Sequence, residues 1–163
     1  MKRAIFPGSF DPLTMGHLDI IERSTSLFDE LVIAVLNNPD KNPMFSPEER
    51  CEMIEEVLAD FNSGDCRLVV ESFSGLLVNY VKSKNATSII RGIRAVSDYE
   101  YERRMALMNK RLAPEIETVF LMASEEYSYV SSRLLKQVFL LDGRVDGLVP
   151  KLIVDRLRSK NGG

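Results

Sequence analysis

The chain has 163 residues, is 45% hydrophobic and 28% charged, and carries a formal net charge of −3. This suits one domain with a sizeable core, 1–163, and gives no general attraction to nucleic acid or to an anionic membrane surface. No apolar run has the length of a membrane span, and the stretch after Met1-Lys2-Arg3 is too short for a secretory signal. Two cysteines, Cys51 and Cys66, make neither a disulfide framework nor a zinc cluster, so the expectation is a cytoplasmic protein with reduced thiols.

The apolar run Ala4–Phe6 reads as a first strand, followed by the tight loop Pro7-Gly8-Ser9-Phe10-Asp11-Pro12. His17–Phe28 has helical spacing, with Leu18, Ile21 and Phe28 apolar and Asp19, Glu22 and Arg23 on the other side. Leu31–Leu36 is a second buried strand, and 37–43 a polar loop. Ser46-Pro47-Glu48-Glu49 opens a helix to about Phe61, with an N-cap, a first-turn proline and a capping-box glutamate. Further strands are expected at Arg67–Val70, Ser88–Ile90 and Thr118–Met122. Helices are expected at Leu76–Lys84, Ser97–Leu112, Ser131–Leu141 and Pro150–Arg158, with 159–163 a frayed tail. On the long fourth helix Tyr101, Met105, Met108 and Leu112 share a face, read as core or subunit contact.

Five buried strands alternating with helices predict a Rossmann-like, doubly wound α/β fold: a five-stranded parallel sheet with helices on both faces. Ligands of such sheets sit beyond the carboxyl ends of the strands. The polar candidates fall there: 7–17 after the first strand, Lys41 after the second, Ser74 after the third, Arg91–Arg94 after the fourth and Tyr127–Arg133 after the fifth.

Strand, small-residue loop and helix start together make a phosphate site, because unpaired N–H groups and the positive end of the helix dipole face the loop. Thr14-Met15-Gly16-His17 occupies that helix start, and His17 is the sole histidine. A helix N-terminus disfavours imidazolium and a bound polyphosphate favours it. Neither a glycine-rich loop ending in Lys-Ser or Lys-Thr nor a Gly-x-Gly-x-x-Gly fingerprint is present.

The segment from Phe6 to Pro12, followed by Gly16-His17, resembles the opening of the nucleotidyltransferase superfamily with a (His/Thr)-x-Gly-His motif. Ile90-Arg91-Gly92-Ile93-Arg94-Ala95-Val96-Ser97-Asp98-Tyr99-Glu100-Tyr101-Glu102 and Tyr127-Ser128-Tyr129-Val130-Ser131-Ser132 resemble signatures of the bacterial phosphopantetheine adenylyltransferase family. The resemblance implies transfer of AMP from ATP to 4'-phosphopantetheine, giving dephospho-CoA and pyrophosphate in coenzyme A biosynthesis. It implies that Ser9 holds the acceptor phosphate and meets ATP with Phe10, and that His17 stabilises charge on the α-phosphate in the transition state. Lys41, Leu77 and Arg91 would bind the pantetheine substrate; Gly92, Ile93, Arg94, Glu102 and Tyr127, Ser128, Tyr129, Val130, Ser131, Ser132 and Arg133 would serve ATP. It also implies magnesium with ATP and a homohexamer.

Other readings stay open at this point. Arg91 and Arg94 could pair with Asp98, Glu100 or Glu102; Ser131 and Ser132 could only cap a helix; Leu77 could only pack. Arg133 stands where the family often has a small polar residue, and reaches either the triphosphate or solvent. With Thr14 in the first motif position a two-histidine clamp is not assumed, which favours this family over cytidylyltransferases carrying two histidines. The functional alternatives are a related nucleotidyltransferase with another phosphate acceptor, or a nucleotide-binding module without catalysis.

Overall fold

The computed structural model describes residues 1–38 and 42–162. Five strands, β1 (Arg3–Gly8), β2 (Glu30–Leu36), β3 (Arg67–Phe73), β4 (Ser88–Ile93) and β5 (Glu117–Met122), form one parallel sheet in the order β3-β2-β1-β4-β5. The apolar runs are unbroken because the central strands are buried on both faces. Ala4, Phe6, Leu31, Ile33 and Val35 point into one core, while Ile5, Val32 and Ala34 point into the other. The helices are α1 (Met15–Thr25), α2 (Pro47–Leu58), α3 (Leu77–Ser83), α4 (Val96–Leu112), α5 (Ser132–Leu140) and α6 (Lys151–Asn161). The first core also takes side chains of α1, α2, α5 and α6, and the second those of α3. No helix among the described residues is long and apolar enough to cross a membrane.

The strand order reverses between β1 and β4, and that reversal opens the crevice the site occupies. β1 pairs with β2 from Arg3 to Gly8 but with β4 only at Ala4 and Ile5. Beyond Ile5 the two strands diverge. This explains why β1 continues through Pro7, past the expected end at Phe6: the missing proline N–H has no β4 partner to serve there. β3 and β4 likewise run three residues past the expected ends, to Phe73 and Ile93.

Helix starts follow the capping chemistry. Ser46 Oγ accepts from Glu49 N–H at 3.1 Å and the Glu49 carboxylate accepts from Ser46 N–H at 2.7 Å. At its other end the chain departs from expectation: α6 extends to Asn161, three residues past Arg158, and Lys160 Nζ reaches the Glu49 carboxylate at 3.0 Å. The expected apolar face of α4 is not core. Tyr101, Met105, Met108 and Leu112 are all exposed, and the residues α4 buries are Glu102 and Asn109.

Candidate active site

A cavity of about 280 Å³ lies where β1 and β4 part. Its wall is built from the β1 end and following loop (Phe6–Phe10), the start of α1 (Thr14, Gly16, His17, Ile20), the β4 end (Arg91, Gly92, Arg94) and the segment leading into α5 (Tyr127, Val130–Ser132). Two helix N-termini, those of α1 and α5, therefore open onto one space, a setting that favours bound anions. Gly92 permits α1 to lie close on the sheet, since a Cβ there would stand 3.3 Å from Ile20 Cγ1.

His17 is held in a defined orientation by its own helix. It is the third residue of α1, and Thr14 is the N-cap. Thr14 Oγ1 accepts from His17 N–H at 3.2 Å, and His17 Nδ1 accepts from Thr14 N–H at 3.0 Å. The imidazole thus takes the place of the glutamate in a capping box. A ring nitrogen that accepts from a backbone N–H carries no proton, so the hydrogen-bond network assigns the neutral tautomer with its proton on Nε2. The Phe10 ring packs edge-on against the imidazole at 4.9 Å. Burial, and then the charges of Arg94 and Arg91, lower the His17 pKa to about 4. Between about pH 4 and 6.5 the unfolded chain takes up a proton that the native ring refuses, so this group makes stability fall as pH falls through that window. With one histidine in the chain, a single pair of imidazole C–H resonances reports the titration. It should show a midpoint near 4 in the free protein and a higher one with bound triphosphate; a midpoint near 6.5 without ligand would refute the half-buried, arginine-flanked setting.

The two arginines are anchored from behind. Arg91 Nε donates to Glu102 Oε2 at 2.9 Å, Nη2 to Glu102 Oε1 at 2.6 Å and Nη1 to the Pro7 carbonyl at 2.8 Å. It thereby bridges the gap that the diverging strands leave. Arg94 Nε donates to Asp98 Oδ2 at 3.1 Å and Nη1 to the Val130 carbonyl at 3.1 Å. Both ion pairs left open by the sequence thus exist. A guanidinium has five N–H groups, and each arginine retains donors beyond these bonds. The pairing fixes their direction, which is how an anion clamp keeps its shape before the anion arrives.

The loop between β1 and α1 is braced as well. Asp11, 3% exposed, accepts from Met44 N–H at 2.9 Å, Phe45 N–H at 3.0 Å and Lys136 Nζ at 2.8 Å. Ser132 Oγ donates to the Pro12 carbonyl at 2.7 Å, and Ser131 Oγ caps α5 by accepting from Leu134 N–H at 3.1 Å.

The cavity brings together eleven of the residues expected from the sequence: Ser9, Phe10, His17, Arg91, Gly92, Arg94, Glu102, Tyr127, Val130, Ser131 and Ser132. Five others do not line it. Leu77 packs on the second core, Ile93 is buried, Ser128 Oγ bonds to the Glu125 carbonyl within a short 3-10 turn (Glu125–Tyr127), and Tyr129 and Arg133 are exposed. Lys41 lies outside the described residues. Asp98, expected only as a candidate ion-pair partner of the arginines, also lines the cavity.

Comparison with known proteins supplies the family. Residues 5–138 match the cytidylyltransferase-like family. The chain is 56% identical over 160 residues to the phosphopantetheine adenylyltransferase of Alkaliphilus oremlandii, covering 98% of this chain and 99% of that protein. It is 53% identical to that of Clostridium kluyveri, covering 98% and 95%. The identity to that of Geobacter metallireducens is 51%, covering 98% and 95%. Among solved structures, a lipopolysaccharide core biosynthesis protein from Thermoplasma volcanium superposes with a TM-score of 0.51 at 23% identity, over 76% of this chain and 97% of that one, which reflects the shared fold. By near-complete coverage at about half identity, together with the cavity at the β1/β4 divergence, the chain belongs to the phosphopantetheine adenylyltransferase family of cytidylyltransferase-like proteins.

Proposed function

We propose that this protein transfers the AMP part of ATP to 4'-phosphopantetheine, forming dephospho-CoA and pyrophosphate. The observation that carries the reading is one cavity in which a neutral Nε2–H donor, two anchored guanidiniums and two helix N-termini converge. The reaction joins two polyanions, so the chain's task is to neutralise and align them. The acceptor phosphate attacks the α-phosphorus in line, its oxygen forming the new bond as the bond to pyrophosphate breaks. His17 Nε2–H donates to the α-phosphate oxygen as charge grows there, and because the ring starts neutral it gains most in the transition state. Arg91, with Ser9 and Lys41, holds the acceptor phosphate; Arg94 and the start of α5 hold the β- and γ-phosphates.

Magnesium enters as the companion of ATP. The two carboxylates that line the cavity, Asp98 and Glu102, are committed to arginines, which suits an ion held chiefly by phosphate oxygens and water. The free thiols of Cys51 and Cys66 agree with a cytoplasmic setting. The exposed apolar row on α4 supports a homo-oligomer, a hexamer by family resemblance. Sedimentation equilibrium should show the hexamer in solution, and a monomer at every concentration would contradict it.

The functional test is pyrophosphate release from ATP with 4'-phosphopantetheine, nicotinamide mononucleotide or glycerol 3-phosphate as acceptor. Release with phosphopantetheine alone, with dephospho-CoA identified by mass, is the expected result. Release only with another acceptor would overturn the substrate assignment, and none with any acceptor would overturn the enzyme.

A further inference from the structure

Arg50 stands in the first turn of α2, is 2% exposed and does not line the cavity. Among the described residues no carboxylate pairs with it. Its hydrogen bonds end on three backbone carbonyls: Nη1 donates to Ser9 at 2.6 Å and to Leu36 at 3.1 Å, and Nε to Ser46 at 3.3 Å. One buried cation therefore ties the loop after β1, the end of β2 and the cap of α2. Burying a guanidinium without a counter-charge is unfavourable, so the feature calls for a reason beyond packing.

The reason lies in the next peptide. The Ser9–Phe10 bond is trans, and a trans peptide points its N–H opposite to its carbonyl. With the Ser9 carbonyl drawn towards Arg50, the Phe10 N–H points away from Arg50, on a segment whose Ser9 and Phe10 line the cavity. Phe10 holds a left-handed φ of 48°, a conformation that a bulky residue keeps only when its surroundings impose it. Among the described residues no acceptor takes the Phe10 N–H, although Phe10 is 2% exposed. An unpaired N–H at so buried a residue is unusual and suits an anion.

We propose that Arg50 is a positioning residue of the nucleotide site: it holds the Ser9 carbonyl so that the Phe10 N–H stays aimed at a phosphate oxygen of ATP. This rests on the reading that the cavity takes the phosphates of ATP, and it is tested by binding alone, without turnover. Calorimetric titrations with ATP and with adenosine are compared for the parent protein, Arg50→Met and Arg50→Lys, each checked for fold by circular dichroism. Arg50→Met should weaken ATP about tenfold while adenosine changes by less than about twofold, because the lost donor meets only the phosphates. Arg50→Lys keeps the charge but offers one donor nitrogen in place of a planar fork, and should weaken ATP about threefold. If Arg50→Met does not fold, the ATP-to-adenosine ratio of Arg50→Lys decides. Equal losses for both ligands would mean that Arg50 only supports the fold, and unchanged ATP binding would mean that it does not position the peptide; either overturns the role. A parent protein with no preference for ATP over adenosine would instead sink the reading of the cavity, and this role with it.

Discussion

Replacing His17 with glutamine should lower turnover by about 10²–10³-fold while the fold and the affinity for ATP stay near those of the parent. Glutamine is chosen because the third residue of a helix is where a capping box places Glu or Gln. Its side-chain oxygen can accept the Thr14 N–H that His17 Nδ1 now accepts. The helix start is thereby kept, and the rigid Nε2–H aimed at the cavity is what is lost. His17→Ala removes both, so it should lose the same activity and, in addition, about 1 kcal/mol of stability from the cap. Steady-state rates beside thermal melts check the pair. A His17→Gln protein with full turnover would remove the histidine from the chemistry. Equal stability of the two variants would remove the imidazole from the cap.

The second large effect concerns Arg91 and Glu102. Glu102 is 8% exposed and takes two hydrogen bonds from Arg91. Glu102→Ala should cost about 3 kcal/mol of stability, because a half-buried guanidinium is left with only the Pro7 carbonyl. The functional loss should appear in the KM for phosphopantetheine, raised about tenfold, with the KM for ATP much less affected. This split separates two roles. A carboxylate that touched ATP directly would move the KM for ATP, whereas one that aims Arg91 moves the acceptor. Adding Glu102→Ala to Arg91→Ala should cost little more than Arg91→Ala alone, and full additivity would contradict the coupling.

Much of this arrangement is legible before any coordinates. The run Leu31–Leu36 and the pair Ile89-Ile90 are apolar because the sheet is covered on both faces, and the capping box at Ser46 and Glu49 is written in residue types alone. The site reads well where chemistry is local, as in a threonine three residues before a histidine at a helix start. It reads poorly where partners are distant. Nothing local tells that Arg50 sits beneath Ser9, 41 positions away, or that Lys136 neutralises Asp11 across 125. Pro7 misled for a related reason: a proline usually ends a central strand, but here β4 has already turned away. The stripe on α4 has core-like periodicity, yet the sheet-facing side of that helix carries Glu102, so the apolar residues face outward.

In the proposed direct transfer between two bound anions, His17 is a hydrogen-bond donor and not a nucleophile. The tautomer supports this, since an Nε2 that bears the proton has no free lone pair for the α-phosphorus. The most direct test is the stereochemical course at the α-phosphorus, followed with ATP made chiral there by sulfur substitution and phosphopantetheine as acceptor. A single in-line displacement predicts inversion of configuration in the dephospho-CoA analogue. Retention would require two displacements, and so an adenylylated enzyme, and would contradict the account.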